Sequence, residues 1–126
     1  MAYKKTKDLQ KLPVGRLGII SPYSCAELGE KVDRYLVEWR KDSQSLHHNT
    51  IAFEGYERDT YLIDSDLPRF GSGEGKGILK ESVRGDDIYI LVDVCNYSLT
   101  YSLCGQTNHM SPDDHFQNLR RVIAAI

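Results

Sequence analysis

Apolar and polar positions change their spacing along the chain, and each change marks an element. "GRLGII", Gly15 to Ile20, is short and runs into a Ser21-Pro22 turn, the pattern of a strand entering a loop. Ser24 and Glu27 in "SCAE" have the spacing of a capping box, which predicts a helix from that point. Cys25, Leu28, Val32, Leu36 and Trp39, with Tyr35 beside them, then recur at helical spacing and predict one apolar stripe. Lys31, Arg34, Glu38 and Arg40 fall largely outside it. "KDSQSLHHNT", Lys41 to Thr50, is polar and aperiodic and reads as a loop. From Ile51 to Ile63, β-formers on both sides of "ERD" predict a strand pair.

The second half opens with "RFGSGEGKGIL", where extended-type residues flank a small glycine-rich tip, the pattern of a β-hairpin. "DIYILVDV" is continuous, apolar and β-branched, which predicts a central strand buried on both faces. Asn96 to Met110 has no clear period. Ser111-Pro112-Asp113-Asp114 combines a capping serine, a first-turn proline and carboxylates at the positive end of the helix dipole. Phe116, Leu119, Val122, Ile123 and Ile126 then supply an apolar face. The order of elements favours an α/β fold, a parallel or mixed sheet flanked by helices. The last helix stops on apolar residues without a glycine cap, so a truncated chain is the expectation.

Composition narrows the partners. The chain has 126 residues and a formal net charge of −2, which disfavours nucleic acid. Lys4, Lys5, Lys7 and Lys11 read as a solvated lead-in over residues 1–14. No apolar run approaches the roughly 20 residues needed to span a bilayer, so no membrane partner is expected. Cys25, Cys95 and Cys104 form no CxxC, which fits reduced thiols in a cytoplasmic protein. Cys25 reads as a core residue of the first helix. His47-His48 reads as solvated surface, and His109 and His115 lack ligand spacing, so no metal site is expected.

Gly71, Gly73, Gly75 and Gly77 invite comparison with a phosphate-binding loop, and the comparison fails. The P-loop pattern needs a hydroxyl after Gly-Lys, but Gly77 follows Gly75-Lys76; G-x-G-x-x-G is not matched either. A plain hairpin with a half-buried Phe70 and a tip that contacts a nucleotide through Phe70 and Glu74 both fit these residues. An aromatic face stacks a purine, and a carboxylate accepts from an exocyclic amine.

"RFGSGE" followed by "ESVRGDDIYIL" resembles the N-terminal domain of ribose-phosphate diphosphokinase (PRPP synthase), which carries R-F-S-D-G-E and then E-[SN]-V-R-G-x-D-[VI] at the same separation. Arg69, Phe70, Gly73 and Glu74 match the first motif. Glu81, Ser82, Val83, Arg84, Gly85, Asp87 and Ile88 match the second. "LGIISPYSCAELGEKVDRYL" is similar to the family's first strand and helix, so the resemblance covers residues 15–126. The stretches near residues 41–67 and 96–110 are longer than the family's, and Ser72 stands where the family has aspartate.

The resemblance implies a phosphoribosyltransferase-like domain with a protruding hairpin. It also implies an intact, homo-oligomeric enzyme that transfers diphosphate from ATP to ribose 5-phosphate with Mg2+, giving PRPP for nucleotide biosynthesis. Phe70, Ser72, Gly73 and Glu74 would then contact the adenine of ATP bound to a neighbouring subunit. Ser82 and Arg84 are candidates for an allosteric phosphate, or Arg84 pairs with Asp86 or Asp87. The family's catalytic loops and metal ligands have no counterpart before Ile126, so this chain alone is expected to be inactive. The alternative is a non-catalytic, nucleotide- or phosphate-responsive interaction module related to the enzyme.

Overall fold

The structure is a computed structural model and describes residues 15–46 and 57–126. The lysine-rich lead-in, His47-His48 and the "IAFEGY" half of the expected strand pair lie outside the described residues. The elements run β1 (Leu17–Ile20), a 3-10 turn (Tyr23–Cys25), α1 (Ala26–Leu46), β2 (Ser65–Asp66), β3 (Ile78–Leu79), β4 (Asp87–Ile90), β5 (Thr100–Leu103), β6 (Gln106–His109) and α2 (Pro112–Ala125).

β1 and β4 pair in parallel with Leu17 opposite Asp87 and Ile20 opposite Ile90. On the other side of β1, Tyr61 to Ile63 joins in parallel: Ile19 N donates to Tyr61 O and Ile63 N to Ile19 O, both at 2.8 Å. This small sheet is the centre of an α/β arrangement with α1 on one face and α2 on the other. Ile19 and Tyr61 pack with Val37, Val32 and Leu36 of α1. Ile20, Ile63 and Ile88 pack with Val122 of α2 and with Val83. Alternation along β1 sends its apolar side chains into two separate cores.

Several expectations need correction. Ser24 does not open a capping box with Glu27. Its hydroxyl accepts from Asp93 N at 3.3 Å, Glu27 binds Lys31 at 2.6 Å, and a 3-10 turn precedes α1. Cys25 belongs to that turn and is only partly buried. α1 continues through Leu46, so Lys41 to Leu46 is helix rather than loop. The helix turns Val32, Asp33, Leu36 and Val37 inward and leaves Leu28, Tyr35 and Trp39 exposed, because it meets the sheet along a line rotated from the densest apolar stripe. Asp33 is buried there because its carboxylate accepts from Tyr61 N at 2.6 Å and Thr60 Oγ1 at 2.8 Å. It ties α1 to the strand at the sheet edge.

β4 is shorter than "DIYILVDV", and it is not buried on both faces. Ile88 and Ile90 face the α2 core, whereas Tyr89 is 63% exposed on a strand that, among the described residues, pairs with β1 alone. α2 begins as expected: Ser111 Oγ accepts from Asp114 N, and the Asp114 carboxylate accepts from Ser111 N. Its buried residues are His115 and Val122, while Phe116, Ile123 and Ile126 are exposed. His115 is 2% exposed and donates from Nε2 to the Asn96 carbonyl at 2.8 Å. No helix among the described residues is long and apolar enough to cross a membrane.

Candidate functional site

The glycine-rich stretch forms a hairpin. Ser65 pairs with Leu79 and Asp66 with Ile78, and Lys80 N closes the base on Asp64 O at 3.0 Å. Arg69 and Gly75 bridge further out; Phe70 N donates to Glu74 O and Gly73 N to Phe70 O, both at 2.8 Å. The tip is therefore Gly71-Ser72-Gly73, with Gly73 at φ +88° as the left-handed residue that closes a three-residue loop. Gly77 serves a different purpose. A Cβ there would strike the Arg121 carbonyl, so its glycine lets the hairpin stem lie directly on the α2 backbone.

Phe70 and Glu74, paired across the end of the ladder, are both exposed, Phe70 at 53%, and Ser72 is exposed between them. The stem beneath them is held firmly. Arg69 Nη1 donates to Gly73 O and Nη2 to Asp114 Oδ1, each at 3.0 Å, and its guanidinium lies 3.9 Å from the Tyr101 ring centroid. Burial works against the Asp114 charge, but hydrogen bonds from Ser111 and the Arg69 cation outweigh it and hold the carboxyl below the usual aspartate range. The site thus offers an aromatic face, a carboxylate and a hydroxyl on a projection anchored at its stem, a set able to stack and hydrogen-bond a heterocycle.

Tyr101 belongs to an element that sequence reasoning missed. β5 and β6 form a hairpin with Thr100 opposite His109 and Leu103 opposite Gln106. Cys104 and Gly105 have φ of 51° and 77°, the two positive values of a two-residue type I′ turn. The Cys-Gly pair was the available signal, masked because cysteine is not the asparagine or aspartate usual there. Tyr97 stacks on His109 with ring centroids 4.5 Å apart, closing the base of this hairpin.

Ser82 and Arg84 lie on an exposed turn in which Asp86 N donates to Val83 O at 3.1 Å and Gly85 takes φ +82°, a type II geometry. Arg84 does not pair with Asp86 or Asp87. Arg16 takes Asp86 in a two-pronged bond, at 2.8 and 2.9 Å, leaving the Asp86 side chain 4% exposed. Asp87 accepts instead from Gly15 N at 3.2 Å. Arg84 has no ion pair among the described residues.

An open cleft of about 630 Å³ lies beyond the carboxyl ends of β1 and β4, lined by Ser24, Cys25, Lys31, Asp93 and Asn96 among others. Ligands of open α/β sheets gather at such strand ends. Burial, and then the Asp93 carboxylate, push the Cys25 thiol up, so it is a protonated wall rather than a nucleophile. Among the described residues no three His, Cys, Asp or Glu side chains converge as a metal site would require.

A family model for the N-terminal domain of ribose phosphate pyrophosphokinase matches residues 17–126. The chain belongs to that family. The matched span includes both hairpins, the Ser82-Arg84 turn and both helices of this ribose phosphate pyrophosphokinase N-terminal domain. Neither the curated proteins nor the solved structures gave a match.

Proposed function

We propose that this ribose phosphate pyrophosphokinase-family domain presents the Phe70–Glu74 tip to the adenine of ATP. In that reading it is the nucleotide-contacting, subunit-joining part of a homo-oligomeric enzyme that transfers diphosphate from ATP to ribose 5-phosphate. One observation carries this most: Phe70 and Glu74 stand exposed together on a closed tip whose stem is anchored to α2. An anchored tip loses little freedom on binding, so stacking energy is not spent on ordering it. Phe70 supplies the ring face and Glu74 an acceptor for the exocyclic amine. Ser72 supplies a neutral hydroxyl where the resembling motif has a carboxylate.

Magnesium would arrive with ATP and neutralise its phosphates. Among the described residues no three-ligand cluster stands ready for it. Ser82 and Arg84, whose guanidinium has no ion pair among the described residues, are proposed to receive a regulatory phosphate. This chain by itself is expected to make no PRPP. The deciding measurement is ATP affinity of the intact enzyme with Phe70→Ala; unchanged affinity in a folded variant removes the base-contact reading. Ser72 and the β5–β6 hairpin favour a second reading, a non-catalytic nucleotide- or phosphate-responsive module. PRPP formation by the intact protein at ordinary enzyme rates would rule that out.

A further inference from the structure

Three elements meet on one guanidinium. The tip reaches Arg69 through the Gly73 carbonyl, α2 reaches it through Asp114, and the β5–β6 hairpin reaches it through the face of Tyr101. Nη1 and Nη2 each donate one hydrogen bond, to Gly73 and to Asp114, while the Tyr101 ring lies against the guanidinium at 3.9 Å from its centroid. Leu103 reinforces the same junction: its Cδ2 lies 3.6 Å from where a Gly73 Cβ would stand. Arg69 is 14% exposed and Asp114 22%, so the contacts are made in a shielded setting where they hold geometry.

From this geometry we infer that Tyr101, and with it the β5–β6 hairpin, is a positioning element of the nucleotide site. The Tyr101 ring holds the Arg69 plane in the orientation that fixes the Gly73 carbonyl, and Gly73 closes the loop that carries Phe70 and Glu74. Tyr101 touches no nucleotide in this scheme; it acts through Arg69. The inference rests on the reading of the tip as the base contact.

The test compares Tyr101→Phe, Tyr101→Leu, Arg69→Lys and Phe70→Ala in the full-length enzyme, by ATP titration and by KM and kcat for each substrate. Tyr101→Phe keeps the ring and is expected to bind ATP as the parent does. Tyr101→Leu keeps bulk and loses the ring face, so ATP affinity is expected to fall roughly 2- to 10-fold, as KM for ATP. KM for ribose 5-phosphate and kcat should hold. Arg69→Lys should weaken ATP binding as well, and the Tyr101→Leu, Arg69→Lys double variant should lose less than the product of the single effects. A general packing role would alter both substrates and add independently. If Tyr101→Leu does not fold, Arg69→Lys carries the same expectation.

A folded Tyr101→Leu with parental ATP affinity overturns the inference, as does a Tyr101→Phe as weak as Tyr101→Leu. If those results come with a weakened Phe70→Ala, the base-contact reading survives and only the positioning role falls. An unaffected Phe70→Ala removes both.

Discussion

Arg69 and Asp114 form a 3.0 Å ion pair that joins the stem of a hairpin, just below its tip, to the first turn of α2. Asp114 is at the same time the reciprocal half of the Ser111 capping box. One carboxylate therefore satisfies a helix end and anchors the candidate binding element, so the integrity of the helix start and the placement of the tip are not independent.

Asp114→Ala removes the cap bond and the partner of a mostly shielded guanidinium together. We expect a loss of about 1–3 kcal/mol in urea unfolding, larger than that of Ser111→Ala, for which a cap loss of about 0.5–2 kcal/mol applies. The pH dependence follows from the direction of the Asp114 shift. Its folded pKa is depressed, so its stabilisation is complete above the unfolded aspartate value of ~3.9 and drains away as pH falls below that, through the lowered folded value. Acid titration of Asp114→Asn should therefore show a shallower loss of stability than the parent in that range. Parallel titrations would refute the assignment.

The glycines should respond unequally to alanine. Gly77→Ala forces a methyl into the Arg121 carbonyl and is expected to cost about 1–3 kcal/mol. Gly71 has open space around its Cβ direction and no positive φ, so Gly71→Ala is expected to be neutral or to stabilise by about 0.4–1 kcal/mol. Equal thermal shifts for the two would contradict the packing of the hairpin stem on α2.

At the tip, Phe70→Ala is expected to weaken ATP binding by about 1–3 kcal/mol and to leave ribose 5-phosphate affinity little changed. Glu74→Gln should cost less, because an amide oxygen still accepts a hydrogen bond. Should the site be shared between subunits, Phe70→Ala subunits mixed with subunits broken in their own catalytic half will regain part of the activity. Absence of any complementation would argue that the tip serves its own subunit.

The apolar residues left open on the helices, Phe116, Ile123 and Ile126 on α2 and Leu28, Tyr35 and Trp39 on α1, favour association. Light scattering on this 126-residue chain should report a dimer or larger species. Ile123→Lys should shift it toward monomer if the α2 face takes part. A parent that is monomeric at every concentration would count against the expectation.

What the sequence determined by itself is what short-range hydrogen bonding decides. The Ser111-Asp114 cap and the hairpin tip closed by Gly73 are each complete within a few residues, so their residue types announce them. Phe70 and Glu74 were legible as residues flanking the tip for the same reason, whereas the fold decided that Phe70 is exposed rather than half-buried. The family match agrees with what the paired motifs at Arg69 and Glu81 announced.

Only the tertiary structure decided which side of α1 is buried, because a helix with apolar residues on more than one side is oriented by the sheet it meets. Asp33 bonding Tyr61 and Thr60 selected a face that includes a charge and excluded Tyr35 and Trp39. Partner choice across long separations was equally hidden. Asp86 had Arg84 close in sequence, yet the folded chain brings Arg16 alongside through the β1–β4 pairing. Arg69 could be read only as a motif residue. Its bonds to Gly73, Asp114 and the Tyr101 ring exist because two hairpins and a helix start converge there, and no local pattern encodes such a convergence.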